Sequence, residues 1–134
     1  MKKILGSCLC GSVTFAISDS VEQFFFCHCT QCQKSTGSAF AANIFTDPDT
    51  IEWLTGIELI QRYDVDGRII SNVFCSACGS RVPYLSKSGK HLVIPAGVLN
   101  GSVSAMPNAN IFWAEKASWY SEGQTTPHFP AFPE

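Results

Sequence analysis

At 134 residues the chain has the length of one domain, spanning 1–134, since single cores usually form from ~100–200 residues. It is 46% hydrophobic, enough for a packed core, and its ten Phe, three Trp and three Tyr favour pleated sheet over helix. Nine Lys and Arg against eleven Asp and Glu give a formal charge of −2, which excludes the basic stripe of a nucleic-acid binder and argues equally against a membrane-surface role.

In chain order, Met1-Lys2-Lys3 followed by Ile4-Leu5-Gly6-Ser7-Cys8 imitates a lipoprotein leader. The apolar stretch falls short of the ~7–15 residues such a leader needs, and no segment approaches the ~18 apolar residues of a membrane span. The expectation is an unprocessed cytoplasmic chain with reduced thiols. Ser12 to Ser18 alternates, with Val13, Phe15 and Ile17 on one face, and predicts a half-buried strand. Gln23 to Phe26 is a short apolar run ending at Cys27. A short helix is expected from Cys29 toward Lys34, stopped by Gly37. Ala39 to Phe45 reads as a strand. Glu58 to Tyr63 and Arg68 to Phe74 read as a hairpin about Asp66-Gly67, ending at Cys75. His91 to Ala96 is a further strand, and Ile111 to Trp113 and Trp119-Tyr120 are weaker ones. The tail from Thr126 carries three prolines and is expected to be irregular, with Phe129 and Phe132 packing it to the body.

Seven cysteines fall into three clusters: Cys8 and Cys10; Cys27, Cys29 and Cys32; Cys75 and Cys78. An odd count in a reducing compartment argues against a disulfide framework and for metal. Cys75-Ser76-Ala77-Cys78-Gly79 is a zinc knuckle, two thiolates on a tight turn released by a glycine. Zinc takes four ligands in structural sites, and seven thiolates do not divide into two fours. Keeping local sets together places Cys8, Cys10, Cys75 and Cys78 around one closed, structural zinc. Cys27, Cys29 and Cys32 then surround a second with one open position, the arrangement that catalytic zinc keeps. His28 is the rival fourth ligand, but neighbours on extended backbone point to opposite sides, so it is expected to face away. A carboxylate from Asp47, Asp49 or Asp64 would close the site and remove the case for catalysis. His91 and His128 have no spacing relation to any cluster.

Several motifs together resemble the glutathione-dependent formaldehyde-activating enzyme family, which includes centromere protein V. They are Gly6-Ser7-Cys8-Leu9-Cys10-Gly11-Ser12-Val13, Cys27-His28-Cys29-Thr30-Gln31-Cys32, Gly37-Ser38-Ala39-Phe40, Phe74-Cys75-Ser76-Ala77-Cys78-Gly79-Ser80 and Ala96-Gly97-Val98-Leu99. The resemblance implies an all-β fold of highly twisted antiparallel sheets stapled by zinc, shared with small zinc-binding Rab accessory proteins. It implies two zinc ions, one structural and one catalytic, divided among the cysteines as above. It also implies carbon–sulfur lyase chemistry, joining glutathione and formaldehyde as S-hydroxymethylglutathione. The family often has His-Ile-aromatic where this chain has Asn110-Ile111-Phe112, so a role for that His does not carry over. The basic extensions of centromere protein V are missing too, and with them support for a chromatin role.

Glutathione brings two carboxylates, so its site needs cations. Lys34, just after Cys32, is the first expectation, with Arg68 and Arg81 behind it. Two other classes stand against an enzyme of this kind. One is a zinc-stabilised thiol-binding or interaction module without chemistry. The other is a zinc-containing redox enzyme such as a methionine sulfoxide reductase, which needs a cysteine free of metal.

Overall fold

The computed structural model describes residues 2–133 and is mostly sheet. Along the chain run β1 (Lys3–Ser7), β2 (Thr14–Ser18), β3 (Gln23–Cys27), helix α1 (Thr30–Thr36), β4 (Ala41–Thr46), β5 (Ile51–Thr55) and β6 (Ile60–Asp64). There follow β7 (Ser71–Cys75), β8 (Tyr84–Leu85), β9 (Leu92–Pro95), β10 (Ala109–Ile111) and a short helix α2 (Tyr120–Gly123). Three sheets form, ordered β1-β2-β5, β10-β3-β4-β9-β8 and β6-β7. Every pairing is antiparallel except β10 with β3.

The alternation from Val13 to Ile17 works as expected: Val13, Phe15 and Ile17 are all fully buried. Phe15 and Ile17 join Ile4, Ile44, Leu92 and Ile94 in a core between the three- and five-stranded sheets. Phe15 packs so close to β1 that a Cβ on Gly6 would lie 2.3 Å from its ring, so only glycine lets β1 cross there. A second core holds Val13, Val73, Val82, Tyr84 and Val93 together with Cys8 and Cys75. A third, smaller one holds Cys27, Cys29, Cys32 and Ala41, with Ile70 and Ile111 against it.

The hairpin forms as β6 and β7, with Ile60 opposite Cys75 and Asp64 opposite Ser71. Its strands are shorter than expected. Val65 to Ile70 make the loop, closed by Val65 N–H to Ile70 O and turned at Gly67, whose φ is +70°. Arg68 to Ile70 are therefore loop rather than strand. Helix α1 starts on Cys29 and ends at Gly37, whose N–H returns to Gln33 O from a left-handed conformation.

Three expectations fail. Trp119-Tyr120 is no strand; Trp119 caps α2 in helical backbone. Trp113 leaves β10 for a 3-10 turn because Phe112 turns into left-handed backbone at φ 54°. The tail is irregular, but Phe129 and Phe132 are 56% and 86% exposed, so neither packs it down. Strands β1, β5 and β8 are not anticipated by the sequence pattern. β5 is half-exposed and needs β2 beside it, and β8 is two residues pinned by β9.

Candidate metal centre

Two knuckles build the first cysteine set. Gly11 N–H bonds Cys8 O and Gly79 N–H bonds Cys75 O, each glycine in left-handed backbone, φ 82° and 78°. Val13 N–H points at Cys8 Sγ from 3.3 Å. The sulfurs of Cys8, Cys10, Cys75 and Cys78 converge within 4.8 Å of one another. Cys8 and Cys10 lie 3.6 Å apart and Cys10 and Cys75 4.0 Å apart. A tetrahedron with Zn–S bonds of about 2.3 Å has edges of about 3.8 Å, so the spacing fits one zinc ion and is far too long for a disulfide. The set joins the β1–β2 turn to the end of β7, which lie in different sheets. Hydrogen bonding, led by the Ser12 side chain, lowers the Cys10 thiol to about 6.

The second set is built by β3, which ends on Cys27, and by α1, whose N-cap is Cys29. Cys32 N–H bonds Cys29 Sγ at 3.3 Å. All three sulfurs lie within 4.8 Å of one another and all three residues are buried. A hydrogen bond from Cys32 lowers the Cys27 thiol to about 6. Cys32 is pushed the other way, first because its own hydrogen is held by Cys27 and then by burial. Burial raises Cys29. One proton leaves easily and the next two do not, because packed anionic sulfurs repel. A divalent cation at their centre removes that repulsion, which is the chemistry this donor set suits.

His28 faces away from the sulfurs. Its Nε2 is 2.8 Å from Asn110 Oδ1, and its ring lies in a box of Phe40, Trp113 and Tyr120. The register explains this. β10 pairs Ile111 with Cys27 and Asn110 with Phe26, so Ile111 turns to the cysteines and Asn110 to the opposite face. Among the described residues no imidazole or carboxylate joins either cysteine set. Asp47 caps a 3-10 turn and Asp64 is bound by Arg62 and Ser71.

Cys27, Cys29 and Cys32 open on a cavity of about 280 Å³. Its walls include Asn43, Phe45, Arg68, Ile69, Ile70, Ile111, Phe112 and Glu115. A second cavity of about 270 Å³ shares Phe45 and Ile69 with it and continues to Lys87 and His91. Of the cations expected near the thiols, only Arg68 lines this space. Lys34 lines a separate shallow groove with Thr30, Gly37 and Trp119. Arg81 is spent on β7, donating to Asn72 Oδ1 and Ser71 O.

Asn43 and Glu115 are site residues that sequence reasoning misses. A polar residue between Ala41 and Phe45, on the same face of a strand, is the one signal for Asn43. Glu115 has none: it reaches the site because its Oε1 accepts from Thr30 N–H and its carbonyl from Gln33 Nε2.

A small, mostly β domain with one four-cysteine cage and one three-cysteine cage beside a cavity is the class that fold and site define. The sequence profile of the glutathione-dependent formaldehyde-activating enzyme family matches residues 3–115, and the chain belongs to that family. No curated protein matches it. Among solved structures, it is similar to the crystal structure of a Rhodobacter sphaeroides protein from a structural-genomics programme. The two are 20% identical with a TM-score of 0.58, over 77% of this chain and 97% of that one, a likeness of fold alone. Among the described residues no helix is long and apolar enough to cross a membrane.

Proposed function

We propose that the chain is a zinc-dependent carbon–sulfur lyase that joins the thiol of glutathione to formaldehyde, or a similar thiol to a similar small aldehyde. The observation that carries this reading is the cluster of three buried cysteines, with no fourth ligand among the described residues, beside a cavity. In this reading Cys8, Cys10, Cys75 and Cys78 hold a structural zinc, and Cys27, Cys29 and Cys32 hold the catalytic one. Zinc held by three thiolates keeps a fourth position for an outside ligand and acidifies a thiol there. Seven free thiols suit a reducing cytoplasm.

The chain's own residues supply the rest. Arg68 overlooks the cavity and binds a carboxylate of the tripeptide. Lys87 donates to Val65 O and Arg68 O and so holds the loop that carries Arg68. Ile70, Phe45 and Ile111 give the reacting atoms an apolar wall. Glu115 is the carboxylate in the cavity wall and takes the thiol proton. The sulfur bonds to the aldehyde carbon, the carbonyl oxygen receives the proton as a hydroxyl, and no electrons are gained or lost overall.

Exchange NMR on zinc-loaded protein with glutathione and formaldehyde tests the reading. S-hydroxymethylglutathione should form faster than without protein, and Cys29→Ser should remove the acceleration. Glutathione should also bind far better than S-methylglutathione, which keeps every charge but cannot form a thiolate. Preference without acceleration would leave a thiol-binding module. Equal affinity would end the thiol reading.

A further inference from the structure

One bulky residue stands in backbone that this fold otherwise gives to glycine. Phe112 has φ 54° and ψ 40°, and every other left-handed residue among those described is a glycine. That conformation crowds a large side chain, and it persists only where the surroundings or a function require it. The turn itself is needed, because it takes the chain from β10 into the 3-10 turn that carries Glu115. The ring is not needed for the turn, since glycine adopts it freely. Packing uses the ring little. The box of His28, Phe40, Trp113 and Tyr120 closes without it, and Phe112 is 51% exposed.

What Phe112 does line is the cavity beside the three cysteines. Ile69, 84% exposed in the β6–β7 loop, lines the same cavity from a separate element. Both side chains are large, apolar and open to an incoming molecule. Ile111, the residue before Phe112, packs against Cys27, Cys29 and Cys32. An apolar wall thus runs from the sulfurs through Ile111 to an accessible rim of Phe112 and Ile69. It begins where a thiol sulfur would meet an aldehyde carbon. Formaldehyde has no carbon chain to lay along such a wall, and the amides and carboxylates of a tripeptide gain nothing from it.

We infer that Phe112 and Ile69 are specificity-determining residues, and that the aldehyde taken at this site carries an apolar chain. The inference rests on the thiol–aldehyde reading above and moves its second substrate from formaldehyde to a longer aliphatic aldehyde. The bonds that change are the same. Sulfur bonds to the aldehyde carbon, the carbonyl π bond breaks, the thiol proton ends on oxygen, and the product is a hemithioacetal. The selection has a simple physical source: each methylene that leaves water for the rim is worth about threefold in affinity.

Two series on the zinc-loaded protein test this. In the first, exchange NMR follows glutathione with formaldehyde, acetaldehyde, butanal and hexanal. Each rate is divided by that of the same pair without protein, which cancels intrinsic reactivity. In the second, calorimetry measures the affinity of S-methyl-, S-butyl- and S-hexylglutathione, which carry the carbon skeleton of the products and do not react. Acceleration and affinity should both climb by about threefold per methylene. Phe112→Gly, which keeps the left-handed turn and loses the ring, should flatten both slopes. Ile69→Ser should flatten them too, and it leaves β10 untouched if glycine loosens the turn. Acceleration of formaldehyde with no dependence on chain length would overturn the inference and leave the proposed function standing. Slopes that survive both substitutions would also overturn it, since other residues would then hold the chain. Acceleration of none of the aldehydes would remove the proposed function and this inference together.

Discussion

Each half of the four-cysteine set is made by short-range geometry. A left-handed glycine after Cys10 and after Cys78 lets the backbone fold over the sulfurs, and N–H groups turn toward them. The two sets differ in what else they hold. Cys75 is fully buried in a core with Val13, Val73 and Val82, and two of its partners, Cys8 and Cys10, come from the turn of a different sheet. Cys29, Cys27 and Cys32 all lie within one stretch of β3 and α1. Cys75→Ser should therefore lower the melting temperature by on the order of 10 °C, since binding energy at a site joining distant segments is folding energy. Cys29→Ser should leave a folded protein that has lost only its more weakly held zinc. Equal melts for the two variants would contradict this division. Elemental analysis should find up to two zinc per chain, and no more than one after reconstitution would contradict the two-site reading.

At the scale of elements, tight crossings determine which substitutions the fold tolerates. Gly56 sits at φ +78°, and a Cβ there would lie 2.2 Å from Ser12 O, a backbone atom that cannot swing aside. Gly89 has a similar φ of +74° but open space around it. Gly89→Ala should cost only the left-handed strain, about 1–2 kcal/mol. Gly56→Ala should cost clearly more, read as a lower urea midpoint. His28 ties β10 and the Trp113–Tyr120 segment to the loop of the second cysteine set through Asn110 and the ring box. His28→Phe keeps a ring and loses that bond. It should destabilise by about 1–3 kcal/mol with zinc content unchanged. Loss of a zinc ion instead would make His28 a ligand.

Across the whole molecule, the four-cysteine set lies between sheets, where a bound zinc would staple them, and the three-cysteine set lies at the base of a cavity. Chelation should proceed in two stages. The first zinc should leave with the far-ultraviolet circular dichroism unchanged, and the second should leave together with the sheet signal. A single stage with both lost at once would mean that the two centres are coupled.

The chain alone determined how its seven cysteines group, where the β6–β7 hairpin turns and where α1 stops. All of these rest on residues within a few positions of one another, or on a donor type that only a metal gathers. Burial of Val13, Phe15 and Ile17 was legible for a similar reason: a period of two means one thing in a half-buried strand. What only the tertiary structure decided is the wall of the site. Lys34 stands two residues from Cys32 in sequence, yet its place on α1 turns it into another groove. Arg68, far from the second set in sequence, reaches the cavity because it stands in the β6–β7 loop rather than in a strand. Asn43 and Glu115 enter through strand register and through contacts with α1, neither of which any local pattern encodes. Strand pairing is a long-range choice, and one residue of slip would turn Asn43 and Ile111 away from the sulfurs and bring Asn110 toward them.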